Sequence, residues 1–313
     1  MIRENTPEVL KTAGKNLKRH NRISRRRFVK GAVLGTLGFC TAAAVDAYGI
    51  EPEWIEVVEL DLPLSNLPQP FRGKKLVHIS DLHCSNTVSD KYLRRCIQRI
   101  NRLQADIVVI TGDFVTHDFR GVYKKKILSI LSRLKSTLGT FACLGNHDYG
   151  VMATWQPGSN TVRDFLENGL WEIGVQVLRN NSHCLKHQDS EIYLVGLGDM
   201  WAQDIQLEKA FRNVASDKTT LVLAHNPDTI DLLQDYKANI VMCGHTHGGQ
   251  VKVPFFGPPL LPIKNRRYVS GMFNVEDKML YVNRGLGRLG RIRFNCRPEI
   301  TVFTLHDGSA PNM

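Results

Sequence analysis

No Cys-x-x-Cys pair occurs among the seven cysteines of this 313-residue chain, and seven thiols over that length do not make a disulfide framework. Cys143 and Cys243 lie inside apolar runs, where a free thiol acts as a small hydrophobe. Internal repeats and low-complexity stretches are also missing, and 42% hydrophobic with 23% charged residues is the composition of a packed globular protein. Charge of one sign is scarce once its position is considered. The net charge is +11, yet residues 1–30 hold ten Lys/Arg against Glu4 and Glu8, which leaves 31 basic and 28 acidic side chains for everything after. A main body so close to neutral lacks the diffuse cationic surface that nucleic acid requires, so no nucleic-acid partner is expected.

One long uncharged run is made almost wholly of apolar and small residues. Residues 31–45, GAVLGTLGFCTAAAV, are preceded by S-R-R-R-F-V-K and followed by D-A-Y-G. At fifteen residues the run falls short of the roughly 20 that span a bilayer comfortably. A basic segment, a short apolar segment and an Ala-rich end are the parts of an export signal, and the arginine pair before Phe28 resembles the twin-arginine type. The expected organisation is a signal or anchor over residues 1–47, cleaved after Ala44 or Ala47 or retained, and a single domain over 48–313. The twin-arginine export machinery would then be a partner and the cell envelope the location, with the domain outside and cytoplasmic-face association the alternative.

From residue 54 onward, apolar runs of strand length alternate with helical patterns over 88–104 and 122–136, and Asn226-Pro227-Asp228 opens a further helix. What ends each run is informative. KLVHIS ends at Asp81 and His83, DIVVITG at Asp113, TFACLG at Asn146, His147 and Asp148, TTLVLA at His225, and NIVMCG at His245 and His247. Carboxyl ends of strands in α/β sheets are where sites form. Asp81, His83, Asp113, Asn146, His225, His245 and His247 suffice for two divalent ions if one carboxylate is shared, a pair that would make hydroxide available near neutral pH. Two aspartates against four positive charges leave a surplus for a phosphate. Manganese, iron, cobalt, zinc or nickel would suit this donor set, with manganese placed first. A structural zinc site would use four ligands, cysteines prominent.

Taken together, D-L-H at 81–83, G-D at 112–113, G-N-H-D at 145–148, H-N-P-D at 225–228 and G-H-T-H-G-G-Q at 244–250 resemble the motifs of the calcineurin-like metallophosphoesterases, in that family's order over roughly residues 54–305. The resemblance implies an α/β sandwich, two mixed β-sheets packed face to face and flanked by helices. It also implies that Asp81, His83, Asp113 and His247 hold one metal, and Asp113, Asn146, His225 and His245 the other. His147 would then protonate the leaving oxygen, with Asp148 orienting it and raising its proton affinity. Thr116 stands where some members carry the second aspartate of G-D-x-x-D. His78, His117, His183, His187 and His306 are read as ordinary histidines.

The leader, the Q-V-K-V-P-F-F-G loop and the R-G-L-G ending resemble a bacterial branch of exported or membrane-associated phosphodiesterases, similar to the chlamydial-type UDP-2,3-diacylglucosamine pyrophosphatases of lipid A synthesis. That implies cleavage of a phosphodiester or pyrophosphate bond in a phosphorylated lipid or nucleotide-sugar-lipid, at a membrane surface. Arg284, Arg288, Arg291, Arg293 and Arg297 fall where a forked guanidinium would hold a second phosphate, with some of them expected to pair with acids elsewhere in the fold. The run VPFFGPPLLPI at 253–263 would cover acyl chains, dip into a membrane surface or fold back on the core. Two other readings are an envelope phosphodiesterase acting on a phospholipid or cell-wall phosphodiester, and a non-catalytic envelope-binding protein. The H-x-H-x-D-H run of metallo-β-lactamase-like hydrolases is missing.

Overall fold

The computed structural model describes residues 24–118, 120–154, 158 and 160–308; residues 1–23 of the basic leader lie outside the described residues. The chain divides into two units at Ala43/Ala44. Helix α1 (Arg25–Val45) starts within the arginine cluster and not after it. Ser24 Oγ accepts the N–H of Arg27 at 3.3 Å, and arginine and lysine are good helix formers, so the basic residues are drawn into the helix. With the turns that follow, Arg25–Glu53 is long and apolar enough to cross a membrane by length and composition. The helix is therefore longer than the uncharged run alone.

Twelve strands among the described residues form two mixed sheets. In the first, β1 (Glu56–Leu64), β2 (Lys75–Ile79), β3 (Ile107–Thr111), β4 (Gly139–Cys143), β5 (Val175–Val177) and β12 (Glu299–Asp307) are ordered β1-β12-β2-β3-β4-β5. The second is built from β6 (Asn181–His187), β7 (Ser190–Gly196), β8 (Thr220–Leu223), β9 (Ile240–Cys243), β10 (Gly271–Val275) and β11 (Lys278–Val282), ordered β10-β11-β9-β8-β7-β6. Strands β2 to β5 are parallel, as are β7, β8, β9 and β11. The expected sandwich is the observed one.

Alternation along β3 explains its uninterrupted apolar sequence. Ile107 and Val109 join Phe141, Leu221, Leu223, Ile240 and Met242 in the core between the sheets. Val108 and Ile110 point the other way, into a second core with the helices. Helix α2 (Asp90–Arg102) supplies Leu93, Cys96, Ile97 and Ile100 to that core at helical spacing, and Ser89 Oγ caps its start by accepting the N–H of Tyr92 at 3.2 Å. Helices α3 (Val122–Leu131) and α4 (Asn160–Glu172) complete this layer. On the far side, α5 (Leu207–Phe211) and a 3₁₀ turn at Pro227–Leu232 cover Val222 and Val241. The segment opened by Pro227 is thus a short 3₁₀ turn, because β9 must begin a few residues later.

Candidate metal centre

Seven residues expected as metal ligands follow the carboxyl ends of β2, β3, β4, β8 and β9, and all are buried. Five of them, Asp81, His83, Asp113, His245 and His247, have positive φ, between 46° and 68°. Residues with a Cβ reach that region at a cost and persist there where the surroundings over-determine them. The sharp turns swing each side chain off the strand axis into a common space. Glycines make the approach possible: a Cβ on Gly145 would lie 2.3 Å from Asp113 Oδ1, and one on Gly244 2.2 Å from Asp81 Oδ2.

Two groups of donors share this space. In one, Nε2 of His83 and Nε2 of His247 are 3.0 Å apart, and Asp81 Oδ1 lies 3.8 Å from the first and 3.4 Å from the second. In the other, His225 Nε2 is 3.2 Å from Asp113 Oδ2 and 3.2 Å from Nδ1 of His245. Asp113 Oδ2 is also 3.4 Å from His83 Nε2, so this carboxylate joins the two groups. The Nδ2 group of Asn146 donates to the carbonyl of Val151 at 2.6 Å, which leaves its buried Oδ1 without a protein partner.

The rings are held from behind. Thr111 O accepts from Nδ1 of His225 at 2.7 Å, Pro262 O accepts from Nε2 of His245 at 3.0 Å, and Thr116 Oγ1 pairs with Nδ1 of His83 at 3.1 Å. His245 is therefore turned to present Nδ1, whereas His83, His225 and His247 present Nε2. Burial pushes His83 and His245 down to about 3 and His247 well below its ordinary value, so these rings are neutral near pH 7. Burial also pushes Asp81 up to about 6, aided by Asp113 and opposed by His225. Burial acts against ionisation of Asp113 and His225 too, but each charge favours the other strongly enough to hold Asp113 low and His225 high.

These observations test whether a cation fits. Two neutral imidazole nitrogens 3.0 Å apart share at most one proton, and carboxylate oxygens close around them. Lone pairs outnumber hydrogens, the arrangement a divalent ion relieves. The mixed oxygen and imidazole set, with buried Asn146 Oδ1 unpaired, fits divalent transition ions.

His147 stands at the edge of this set, with Nε2 3.9 Å from Asp113 Oδ2 and its ring edge-on to His83. Its Nδ1 donates to the carbonyl of Thr116 at 2.8 Å. The expectation that Asp148 orients His147 is corrected here. Asp148 instead accepts the N–H groups of Phe114 (2.9 Å), Val115 (3.3 Å) and Gly145 (2.9 Å), tying the β3 loop to the β4 loop. Burial and the nearby Asp113 push its carboxyl up, while the N–H groups of Gly145 and Val115 and the charge of His225 oppose the shift.

Four of the five arginines meet partners within the fold. Arg284 pairs with Glu56 at 2.9 Å and with buried Glu299. Arg288 donates to the carbonyls of Pro52 and Thr87, Arg293 is fully buried among backbone carbonyls, and Arg297 stacks on Trp54. These guanidiniums are engaged inside the protein because β12 and the segment before it are themselves buried. Only Arg291, among the five, is exposed. His78 is buried against Thr111 Oγ1 at 2.9 Å, as an ordinary core histidine. Three contributors were not anticipated: Thr116, Pro262 through its carbonyl, and Trp201, whose ring meets His245 edge-on. Thr116 alone left a trace, as the residue standing where an aspartate was looked for.

A pair of mixed sheets with oxygen and imidazole donors converging at one rim defines a metal-dependent α/β hydrolase. The Calcineurin-like phosphoesterase family matches residues 74–249, and the chain belongs to that family: it is a metallophosphoesterase, a hydrolase. It is 33% identical to the uncharacterized metallophosphoesterase YkuE of Bacillus subtilis, over 91% of this chain and 98% of that protein. It is 32% identical to the phosphodiesterase YaeI of Escherichia coli, over 90% and 99%. With the UDP-2,3-diacylglucosamine pyrophosphatase LpxG of Chlamydia trachomatis the identity is 33%, over 80% of this chain and 89% of that protein.

Proposed function

We infer that the chain hydrolyses a phosphodiester or pyrophosphate bond in a phosphorylated lipid, with UDP-2,3-diacylglucosamine the first candidate. The observation that carries this reading is the joining of two donor groups by Asp113. Asp81, His83, Asp113 and His247 would hold one divalent ion, and Asp113, Asn146, His225 and His245 a second, with manganese first in order. When bound, such a pair supplies Lewis acidity toward a phosphoryl oxygen and an activated water. The chain's own residues do the rest. Thr111, Thr116 and Pro262 fix the rings, and with both ions bound, neutral rings and only two carboxylates would leave the site a net positive charge for an anion. His147, its Nδ1–H held by Thr116, delivers a proton from Nε2 to the departing oxygen.

Support for the lipid comes from the relative named as a UDP-2,3-diacylglucosamine pyrophosphatase, and support for a diester bond from the one named as a phosphodiesterase. The leader favours a second substrate. A domain exported by the twin-arginine route meets no cytoplasmic nucleotide sugar, and an envelope phospholipid or cell-wall phosphodiester would serve instead. A panel of generic diester, monoester, phospholipid and acylated UDP-sugar, run with manganese and with product analysis, separates these. UMP and a lipid phosphate are expected from the UDP-sugar. No turnover of any diester or pyrophosphate, or unchanged turnover after Asp113→Ala and His225→Ala, would sink the hydrolytic assignment of the centre.

A further inference from the structure

The most exposed large apolar side chains of the Ala44–Met313 unit lie together on one loop. Phe255 is 105% exposed, Phe256 88% and Leu260 82%. They are held out by a fixed backbone. Val253 and Gly257 exchange N–H···O bonds of 3.0 and 2.9 Å around Phe255, whose φ is +69°, and Gly257 has φ +72°. The N–H of Lys252 donates to Phe294 O at 2.8 Å, Arg266 donates to Pro258 O at 3.1 Å, and the Asp228 carboxylate takes the N–H groups of Lys264 and Asn265. A loop so tied, with its apolar tips in solvent, keeps an unfavourable surface unless something covers it.

The surrounding charge says what covers it. Lys252, Lys264, Arg266 and Arg267 flank the apolar run, and no acid occurs between residues 252 and 267. Lys252 Nζ meets the hydroxyl of Ser270 and Arg266 a carbonyl, both neutral partners. Asp228 and Asp231 lie near Lys264, so four cations against two acids leave the flank of the run with a cationic excess. Two copies facing each other through this loop would bring like charges together. Apolar tips ringed by cations match an anionic bilayer, whose acyl region takes the phenyl rings and whose headgroups take the ammonium and guanidinium groups.

The same loop walls the metal centre. A groove of about 600 Å³ is lined by His245, His247, Leu260, Leu261, Pro262 and Leu289, so Leu260 belongs both to the projecting surface and to the groove. We propose that Phe255, Phe256 and Leu260 insert into the headgroup–acyl boundary of an anionic membrane while Lys252, Lys264, Arg266 and Arg267 hold its phosphates, opening the groove beside His245 and His247 toward the lipid. The docking does not rest on which bond is hydrolysed.

The test uses the full chain in proteoliposomes of phosphatidylcholine and phosphatidylglycerol with brominated acyl chains, because bromine quenches only nearby tryptophan. Phe256→Trp places a reporter on the loop. Asp189→Trp places one on the exposed β6–β7 turn, at the end of the parallel strands away from the centre. The added fluorescence of the loop variant should fall by about half or more and that of the turn variant little, as expected for a side chain at the acyl boundary. Replacing phosphatidylglycerol by phosphatidylcholine, or Lys252, Lys264, Arg266 and Arg267 together by Gln, should reduce the quenching of the loop reporter. Equal quenching at the two positions, or quenching indifferent to lipid charge, overturns the proposal. A lipid-independent blue shift of the loop reporter that grows with protein concentration, or that needs an acidic polypeptide, assigns the face to a protein and overturns it too.

Discussion

The carbonyl of Thr116 accepts from Nδ1 of His147 at 2.8 Å, and the hydroxyl of the same residue reaches Nδ1 of His83 at 3.1 Å. One loop residue thus sets the rotation of a proposed metal ligand and of the proposed proton donor. Removing the hydroxyl alone separates the two tasks. Thr116→Val is expected to lower divalent-metal affinity about tenfold or more, as loss of a supporting contact behind a ligand typically does. Titration calorimetry with manganese checks this; unchanged affinity would show that His83 is held by packing.

His147→Gln tests the proton donor. Its ring is not counted among the seven proposed ligands, so metal content should stay near wild type while kcat falls by roughly 10² to 10⁴ on substrates with a basic leaving oxygen. On p-nitrophenyl esters, whose leaving group needs no proton, the fall should be much smaller. A uniform fall across both leaving groups would remove the role.

Arg284 is assigned to structure because its guanidinium is taken by Glu56 and Glu299. Glu299 is 3% exposed in its side chain, so Arg284→Met strands a buried carboxylate and should destabilise the fold by about 3–5 kcal/mol. Denaturant unfolding measures that loss. A variant of wild-type stability with a raised KM would return Arg284 to the substrate.

Asp106 gives a pH-dependent check away from the metal centre. Burial acts to raise its carboxyl, but the N–H of Lys75, the hydroxyl of Thr137 and the ammonium of Lys74 outweigh this, and its pKa lies below the ordinary 3.8. The unfolded chain therefore binds the proton more readily. The contribution is complete above the unfolded value and disappears as pH falls through the lower folded one. Asp106→Ala should cost about 1–2 kcal/mol near pH 7, with the gap to wild type closing as pH falls below the ordinary carboxylate value. A gap independent of pH would mean that the loss is packing alone.

Much of the centre was legible because strand ends are written in sequence. Apolar runs closing on Asp81, Asp113, Asn146, His225 and His245 place those residues at one edge whatever the exact register. The handedness of the turns was not legible. Positive φ at Asp81 or His247 has no local signature like that of glycine, since the surrounding contacts impose it. Asp148 misled because the resemblance implied a partnership with His147, whereas within the 3₁₀ turn at Asn146–Tyr149 the Asp148 carboxylate takes the N–H groups of Phe114, Val115 and Gly145 and His147 donates to the carbonyl of Thr116. The arginines left two readings open in the sequence: guanidiniums suited to phosphate are equally suited to carboxylates and stacked carbonyls, and only the fold decides which they meet. The loop at 253–263 resolved the other way, with its apolar tips turned outward and not folded onto the core.

Asp81, His83, Asp113 and Asn146 belong to loops of one half of the sandwich, whereas His225, His245 and His247 belong to the other. An ion chelated across that seam would rivet the two halves together at an edge where the apolar interior gives out, so the proposed ligands would join the sheets as well as equip the site for chemistry.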